Sequence, residues 1–142
     1  MDYIIEGIDP APFAPLYGLS DAALAARGAV LMVADAVPGT ALLLVNHASR
    51  QQPGPYHTTH AIFVTEGAIA PARFVNALPP VSNPRLLSLR GFDAGGMMVD
   101  VRLTQPGEAE AALLALLADE RIAEVDVHNA VRGCFAARAR RA

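Results

Sequence analysis

The sequence predicts an α+β fold: a mostly antiparallel sheet of about six to seven short strands with two or three helices packed on it. Several short segments are rich in strand-forming residues, and one longer segment has the spacing of an amphipathic helix. The connections between them are too short for many of the helical crossovers that parallel strands need. With 142 residues, of which 53% are hydrophobic and 18% charged, the chain fits a single domain over residues 1–142.

The N-terminal part predicts one strand and one short helix. Residues 3–8 form an apolar run that ends at Asp9 and Pro10, which favour a turn. A stretch interrupted by prolines follows. Ser20 then suits the start of a helix, because its hydroxyl can accept from a free N–H, and Gly28 suits its end.

A β-hairpin and an exposed loop are predicted next. Residues 29–34 and 41–47 are apolar runs separated by the sequence DAVPGT, in which Asp35, Pro38 and Gly39 favour a turn. Residues 48–57 are rich in glutamine and proline and lack apolar periodicity, so they predict a loop at the surface.

Three further strands are predicted in the middle of the chain. Residues 59–65 and 86–92 are rich in strand-forming residues, and residues 97–103 place apolar side chains at every second position. Residues 70–83 contain three prolines and predict a loop with one helical turn.

The C-terminal third predicts one helix and two strands. Within residues 108–119, four side chains at i, i+3, i+4 and i+7 form a stripe, which is typical of a helix that covers one face of a sheet: Glu110, Leu113, Leu114 and Leu117. Residues 122–129 and 134–140 predict the last two strands, joined as a hairpin.

Composition excludes several functions. The net charge is −3, all 11 basic residues are arginines, and lysine is absent, so neither general nucleic-acid binding nor chemistry that needs a lysine is predicted. No apolar run approaches the ~20 residues of a membrane helix. The acidic N-terminus does not resemble a secretion signal, and the single cysteine cannot form an internal disulfide. We therefore predict a cytoplasmic protein that binds no membrane.

The last hairpin carries the residues most suited to chemistry. The only cysteine, Cys134, begins its second strand and lies six residues after His128. A five-residue loop would place these two opposite each other, whereas a four-residue loop would place Asn129 opposite Cys134, and the sequence does not decide between these registers. If they face each other, His128 can activate the thiol as a nucleophile. A small buried thiol with a structural histidine is the more common arrangement.

The same hairpin also suggests a site for an anion. A guanidinium and exposed backbone N–H groups in a turn, here Arg132 and Gly133, can bind a carboxylate or phosphate. Asn129 belongs to this candidate ligand-binding set, with Tyr56 and His60 as neighbours. The alternatives are that Arg132 faces solvent and that Asn129 caps the turn.

No metal or cofactor is predicted. His57 and His60 are three residues apart, which puts them on opposite faces of an extended strand, so a shared ion would require a bend. His60 is expected instead at the edge of the core. The sequence contains none of the common zinc, dinucleotide, phosphate-loop or serine-hydrolase motifs.

Beyond these local features, nearly the whole chain resembles a bacterial protein family known as domain of unknown function 1203. The resemblance runs through PYHTTHAIFV and LLSLRGFDAGGMMVD and is most specific at VHNAVRGCFAARARRA. It implies a single-domain protein without an assigned activity.

Three functions follow as expectations. The first is binding of a small anionic molecule in a polar pocket near the C-terminal hairpin. The second is a thiol-dependent enzyme that uses Cys134 and His128. The third is a non-catalytic module that forms a homodimer. Whether the protein is an enzyme stays open at this point.

Overall fold

The computed structural model describes residues 1–34 and 39–142. Within these residues the chain forms nine strands, all paired antiparallel, in a sheet of six and a sheet of three. The strands are β1 (Tyr3–Glu6), β2 (Val30–Ala34), β3 (Thr40–Arg50), β4 (Thr58–Thr65), β5 (Arg73–Val75), β6 (Leu87–Phe92), β7 (Met98–Thr104), β8 (Glu124–Asn129) and β9 (Phe135–Arg141). The helices are α1 (Asp21–Ala25) and α2 (Ala109–Leu117), with 3₁₀ turns at Ala11–Leu16 and Pro80–Ser82.

The larger sheet has the strand order β5-β1-β9-β8-β6-β7, and α2 covers one of its faces. Leu113, Leu116 and Leu117 of the helix pack on side chains such as Val125 and Val127 of β8. Because side chains alternate along a strand, the residues between these valines point to the other face. The prediction that this helix covers a sheet is confirmed.

The smaller sheet has the order β2-β3-β4 and forms a second core with the N-terminal segment. Leu43 and Ile62 of this sheet are fully buried beneath Phe13 and Leu24. The start of α1 is fixed by Ser20, whose Oγ accepts from the Ala23 N–H at 3.2 Å, as the sequence predicts.

The second face of the larger sheet is polar. It lies beneath the C-terminal end of β3 and the N-terminal end of β4. It carries Asp126 and His128 of β8, both almost fully buried. Arg50, the last residue of β3, reaches Asp126, and His60 of β4 lies against His128. The two sheets therefore enclose polar and charged side chains between them.

The predicted α+β class with mainly antiparallel pairing is confirmed, but the predicted number of strands and their single sheet were wrong. β5 lies in a segment predicted as a loop, because its three residues are held by pairing with β1. β3 continues to Arg50 where a loop was predicted from residue 48, because its end pairs with Thr58 and Thr59. The turn predicted from Asp35 and Pro38 falls outside the described residues.

No helix in the described part of the chain is both long and apolar enough to cross a membrane.

Candidate functional site

A cluster of two arginines and two carboxylates joins the sheets, in which Arg50 and Asp126 are buried and Arg138 and Glu124 are partly exposed. Asp126 is 1% exposed, and its Oδ1 accepts a hydrogen bond from Arg138 Nε at 2.6 Å. Arg50 Nε lies 2.9 Å from Asp126 Oδ2, and Arg50 Nη2 donates to Glu124 Oε1 at 2.8 Å. Burial alone would lower the pKa of Arg138, but its hydrogen bond to Asp126 and the carboxylate charges of Asp126 and Glu124 raise it. The Arg138 guanidinium therefore stays charged.

Arg50 is one of the residues that join the smaller sheet to the larger one, and Arg138 is another, since its Nη2 donates to the Ser49 carbonyl at 2.8 Å. It is only 7% exposed, and its Cζ lies 3.3 Å from the centre of the Phe92 ring. Tyr56 packs edge-on against the same ring at 5.6 Å. Arg50 Nε makes an ion pair with Asp126 but is too poorly aligned for a hydrogen bond, and it has no hydrogen-bond partner among the described residues. The Nε–H of this buried guanidinium is therefore a donor without a hydrogen-bond acceptor among the described residues.

Three histidines gather beside this cluster. His47 and His60 are directly paired across β3 and β4, and the rings of His60 and His128 are 5.0 Å apart. Burial is the main effect that lowers the pKa of both His47 and His60. His60 Nε2 is buried and has no hydrogen-bond partner in the part of the chain that the structure describes.

His128 has a defined protonation state. It is 2% exposed, and its Nδ1 lies 2.9 Å from the carbonyl oxygen of Gly133. A carbonyl only accepts, so Nδ1 carries the proton and donates it. Burial lowers the pKa of His128 to about 4. This effect is larger than the opposing effects of the Gly133 hydrogen bond and the Asp126 charge, which raise the pKa. At neutral pH the ring is uncharged, and Nε2 is an acceptor.

Two adjoining cavities open next to these residues. The smaller measures about 220 Å³ and the larger about 630 Å³. They share one wall, formed by Ser49, Arg50, Pro55 and Tyr56. The smaller is also lined by Thr58, Arg90, Phe92, Met98, Asp126 and His128.

Arg90 gives the smaller cavity an excess of positive charge. It lies on β6 opposite Asp126 of β8, and its Nε donates to Ser88 Oγ at 3.2 Å. Within the described residues no carboxylate lies within ion-pair distance of Arg90. The cavity therefore has two guanidiniums, from Arg90 and Arg50, against the single carboxylate of Asp126.

The structure brings some of the predicted site residues together. Tyr56 and His128 line the smaller cavity, and His60 contacts His128. Gly133 contributes its carbonyl to His128 but does not line either cavity.

The rest of the hairpin loop stays apart from these cavities. Arg132 is exposed, and the Oδ1 of Asn129 accepts from the Val131 N–H at 3.2 Å, which caps the turn locally. Cys134 is half-buried, and neither cavity described above is lined by Asn129, Arg132 or Cys134.

The hairpin register separates the thiol from the imidazole. The Asn129 N–H donates to the Cys134 carbonyl at 2.9 Å, and Phe135 is the residue opposite His128. This is the four-residue loop of the two registers that the sequence allows. The opposed pair that the thiol-enzyme hypothesis requires is therefore not formed.

Sequence reasoning missed the arginines of the site. Arg138 lies opposite Asp126 on the neighbouring strand, and Arg90 lies opposite it on the other side. The alternation of Asp126 and His128 with Val125 and Val127 was a usable signal for a buried polar face. Among the described residues, no group of three or more histidine, cysteine, aspartate or glutamate side chains is placed to hold a metal ion.

The fold and the site define a protein of two antiparallel sheets with an arginine–carboxylate cluster enclosed between them. The family model described as "Protein of unknown function (DUF1203)" matches residues 31–141, which is more than half of the chain. The chain belongs to this family. Comparison with curated proteins and with solved structures gave no match.

Proposed function

We propose that the protein binds a small molecule whose anionic group enters the smaller cavity. The observation that carries this proposal is Arg90, which lines this cavity without an ion-pair partner among the described residues, whereas Arg50 is already paired with Glu124 and Asp126. A guanidinium that is partly removed from water gains most from a hydrogen-bonded anion. An anionic group at Arg90 would supply that partner.

The sizes of the two cavities fit a ligand whose anionic group lies in the smaller cavity and whose remaining atoms lie in the larger one. The smaller cavity, about 220 Å³, equals the space of about seven water molecules at ~30 Å³ each, which suffices for a carboxylate or phosphate group. The larger cavity, about 630 Å³, lies within the range of small-molecule sites. The remainder of an organic ligand would occupy it, across the wall formed by Arg50 and Tyr56.

The proposal keeps the ligand class that the sequence suggests but changes the residues that hold the ligand. Arg90 and Arg50 take the part first given to Arg132, which is exposed in the hairpin loop. Tyr56 and His128 remain candidate contacts, because both line the smaller cavity.

Two arginine variants test the location. We expect Arg90→Gln to weaken phosphate binding about tenfold or more, because a charge-assisted hydrogen bond contributes about 1.5–3 kcal/mol. Arg132→Gln removes the same charge from the exposed loop and serves as the matched control. Calorimetric titration with inorganic phosphate at constant ionic strength measures both. Equal affinities of the two variants, or loss of binding only in Arg132→Gln, would refute the location.

A homodimer is the second candidate, and one surface favours it. The outer face of the smaller sheet exposes Val30, Met32 and Phe63 to 52%, 44% and 45%. β2 pairs only with β3 among the described strands, so its other edge offers N–H and C=O groups. Edge-to-edge pairing with a second copy would use that edge and would join the apolar faces of the two copies into one continuous surface. Light scattering across a range of concentrations tests this, and a concentration-independent monomer excludes it.

A further inference from the structure

We infer that His128 makes the smaller cavity selective for an oxyanion that still bears a hydroxyl group, of which hydrogen phosphate is the simplest example. This inference rests on the proposed function, because it concerns the choice among anions in the same cavity. It assigns His128 the part of a specificity-determining hydrogen-bond acceptor.

The hydrogen bond to Gly133 fixes which ring nitrogen can accept a hydrogen bond. Nδ1 donates to the Gly133 carbonyl at 2.9 Å, so the lone pair of the neutral ring is on Nε2. His128 lines the smaller cavity, and among the described residues no hydrogen bond reaches Nε2. The cavity therefore combines the donors of Arg90 and Arg50 with one acceptor.

Burial is the main effect that keeps the His128 ring uncharged, and its charged neighbours contribute less to the low pKa. Arg90 of β6 and His60 of β4 both disfavour a second positive charge, and Asp126 of β8 only partly opposes them. Phe135 of β9 packs edge-on against the ring at 5.6 Å and supplies no polar group. Ser88 of β6 lies opposite His128 and its Oγ accepts from Arg90, but no hydrogen bond joins Ser88 to His128 among the described residues.

An acceptor at this position discriminates between anions of the same shape. Hydrogen phosphate can donate its hydroxyl proton to Nε2 while its other oxygens accept from the arginines. Sulfate has no proton at neutral pH, so one of its oxygens would face the Nε2 lone pair, or Nε2 would lose its contact with water without compensation. Leaving a buried acceptor unpaired costs enough to weaken binding about tenfold or more.

Phosphate and sulfate are therefore a matched pair of probes. The full chain is titrated with each at pH 7.5 and equal ionic strength, as wild type and as His128→Asn. The asparagine amide can still donate to the Gly133 carbonyl, but the variant has no acceptor at the Nε2 position. We expect the wild type to bind phosphate about tenfold or more tightly than sulfate, and we expect this preference to disappear in the variant.

The possible outcomes separate this inference from the proposed function. Equal binding of both anions by the wild type, or tighter binding of sulfate, overturns the selectivity but leaves an anion site. Absence of binding of either anion overturns both. If His128→Asn does not fold, nitrogen NMR of the wild-type imidazoles decides: the inference requires a proton on Nδ1 and a phosphate-induced shift of the Nε2 resonance. A proton on Nε2, or an Nε2 resonance that phosphate does not move, refutes it.

Discussion

Replacing Asp126 with asparagine tests whether the buried charge cluster holds the two sheets together. The substitution keeps the shape of the side chain but removes the charge shared by Arg50 and Arg138, which lie 2.9 and 2.6 Å from its oxygens. Removal of one partner from a buried ion pair costs about 3–5 kcal/mol. Because Arg138 is 32% exposed and Glu124 remains within reach of both arginines, the cost should lie at the lower end of this energy range. We expect a loss of about 3 kcal/mol.

Thermal unfolding measures this loss. At about 2.1 cal/mol/K per residue, the unfolding entropy of 142 residues is about 0.3 kcal/mol/K, so the melting temperature should fall by about 10 °C. The matched control is Asp100→Asn, whose ion pair with Arg102 is about half exposed on both sides. That variant should change stability by less than about 1 kcal/mol. Equal shifts in the two variants would refute the reasoning that Asp126 anchors the sheets.

Two further predictions concern His128 and Cys134. The folded-state pKa of His128, about 4, lies below its ordinary 6.5, so between these pH values the unfolded chain binds more protons than the folded chain. The free energy of unfolding should therefore fall by up to about 3 kcal/mol as the pH drops from 7 to 4. Urea titrations across this range should show a smaller drop in His128→Asn than in the wild type, and identical pH profiles of the two proteins would contradict the prediction. Cys134→Ala should leave phosphate affinity unchanged in calorimetry, because the thiol lines neither cavity. Loss of phosphate binding in this variant would show that Cys134 belongs to the site and would contradict the prediction.

The sequence predicts well those elements whose own residues show the periodicity of a helix or a strand. Leu113 and Leu117 of the predicted α2 stripe are buried, although Glu110 of that stripe is exposed and Leu116, outside it, is buried. β5 and the last residues of β3 have no such signal, because they are held by strands far away in the sequence: Arg73–Val75 by β1, and Ala48 and Arg50 by the start of β4. Pairing between distant segments is not visible in local composition.

The candidate site was only partly predictable for a related reason. His128 and Tyr56 attract attention by their residue type, and both line the smaller cavity. Arg50 lies in the last three residues of β3, which were predicted as a loop, and its partner Glu124 is 74 residues away. The hairpin register also depends on an irregularity between Val127 and His128, which one sequence does not reveal.

The central claim is that an anion binds between the two sheets, at Arg90 and Arg50. Side-chain NMR of the arginine guanidinium groups during a phosphate titration tests it most directly. Anion binding at this position should produce saturable shifts of the Arg90 and Arg50 signals, with the signal of the exposed Arg132 unchanged. Shifts confined to Arg132, or no saturable shift at Arg90, would contradict it.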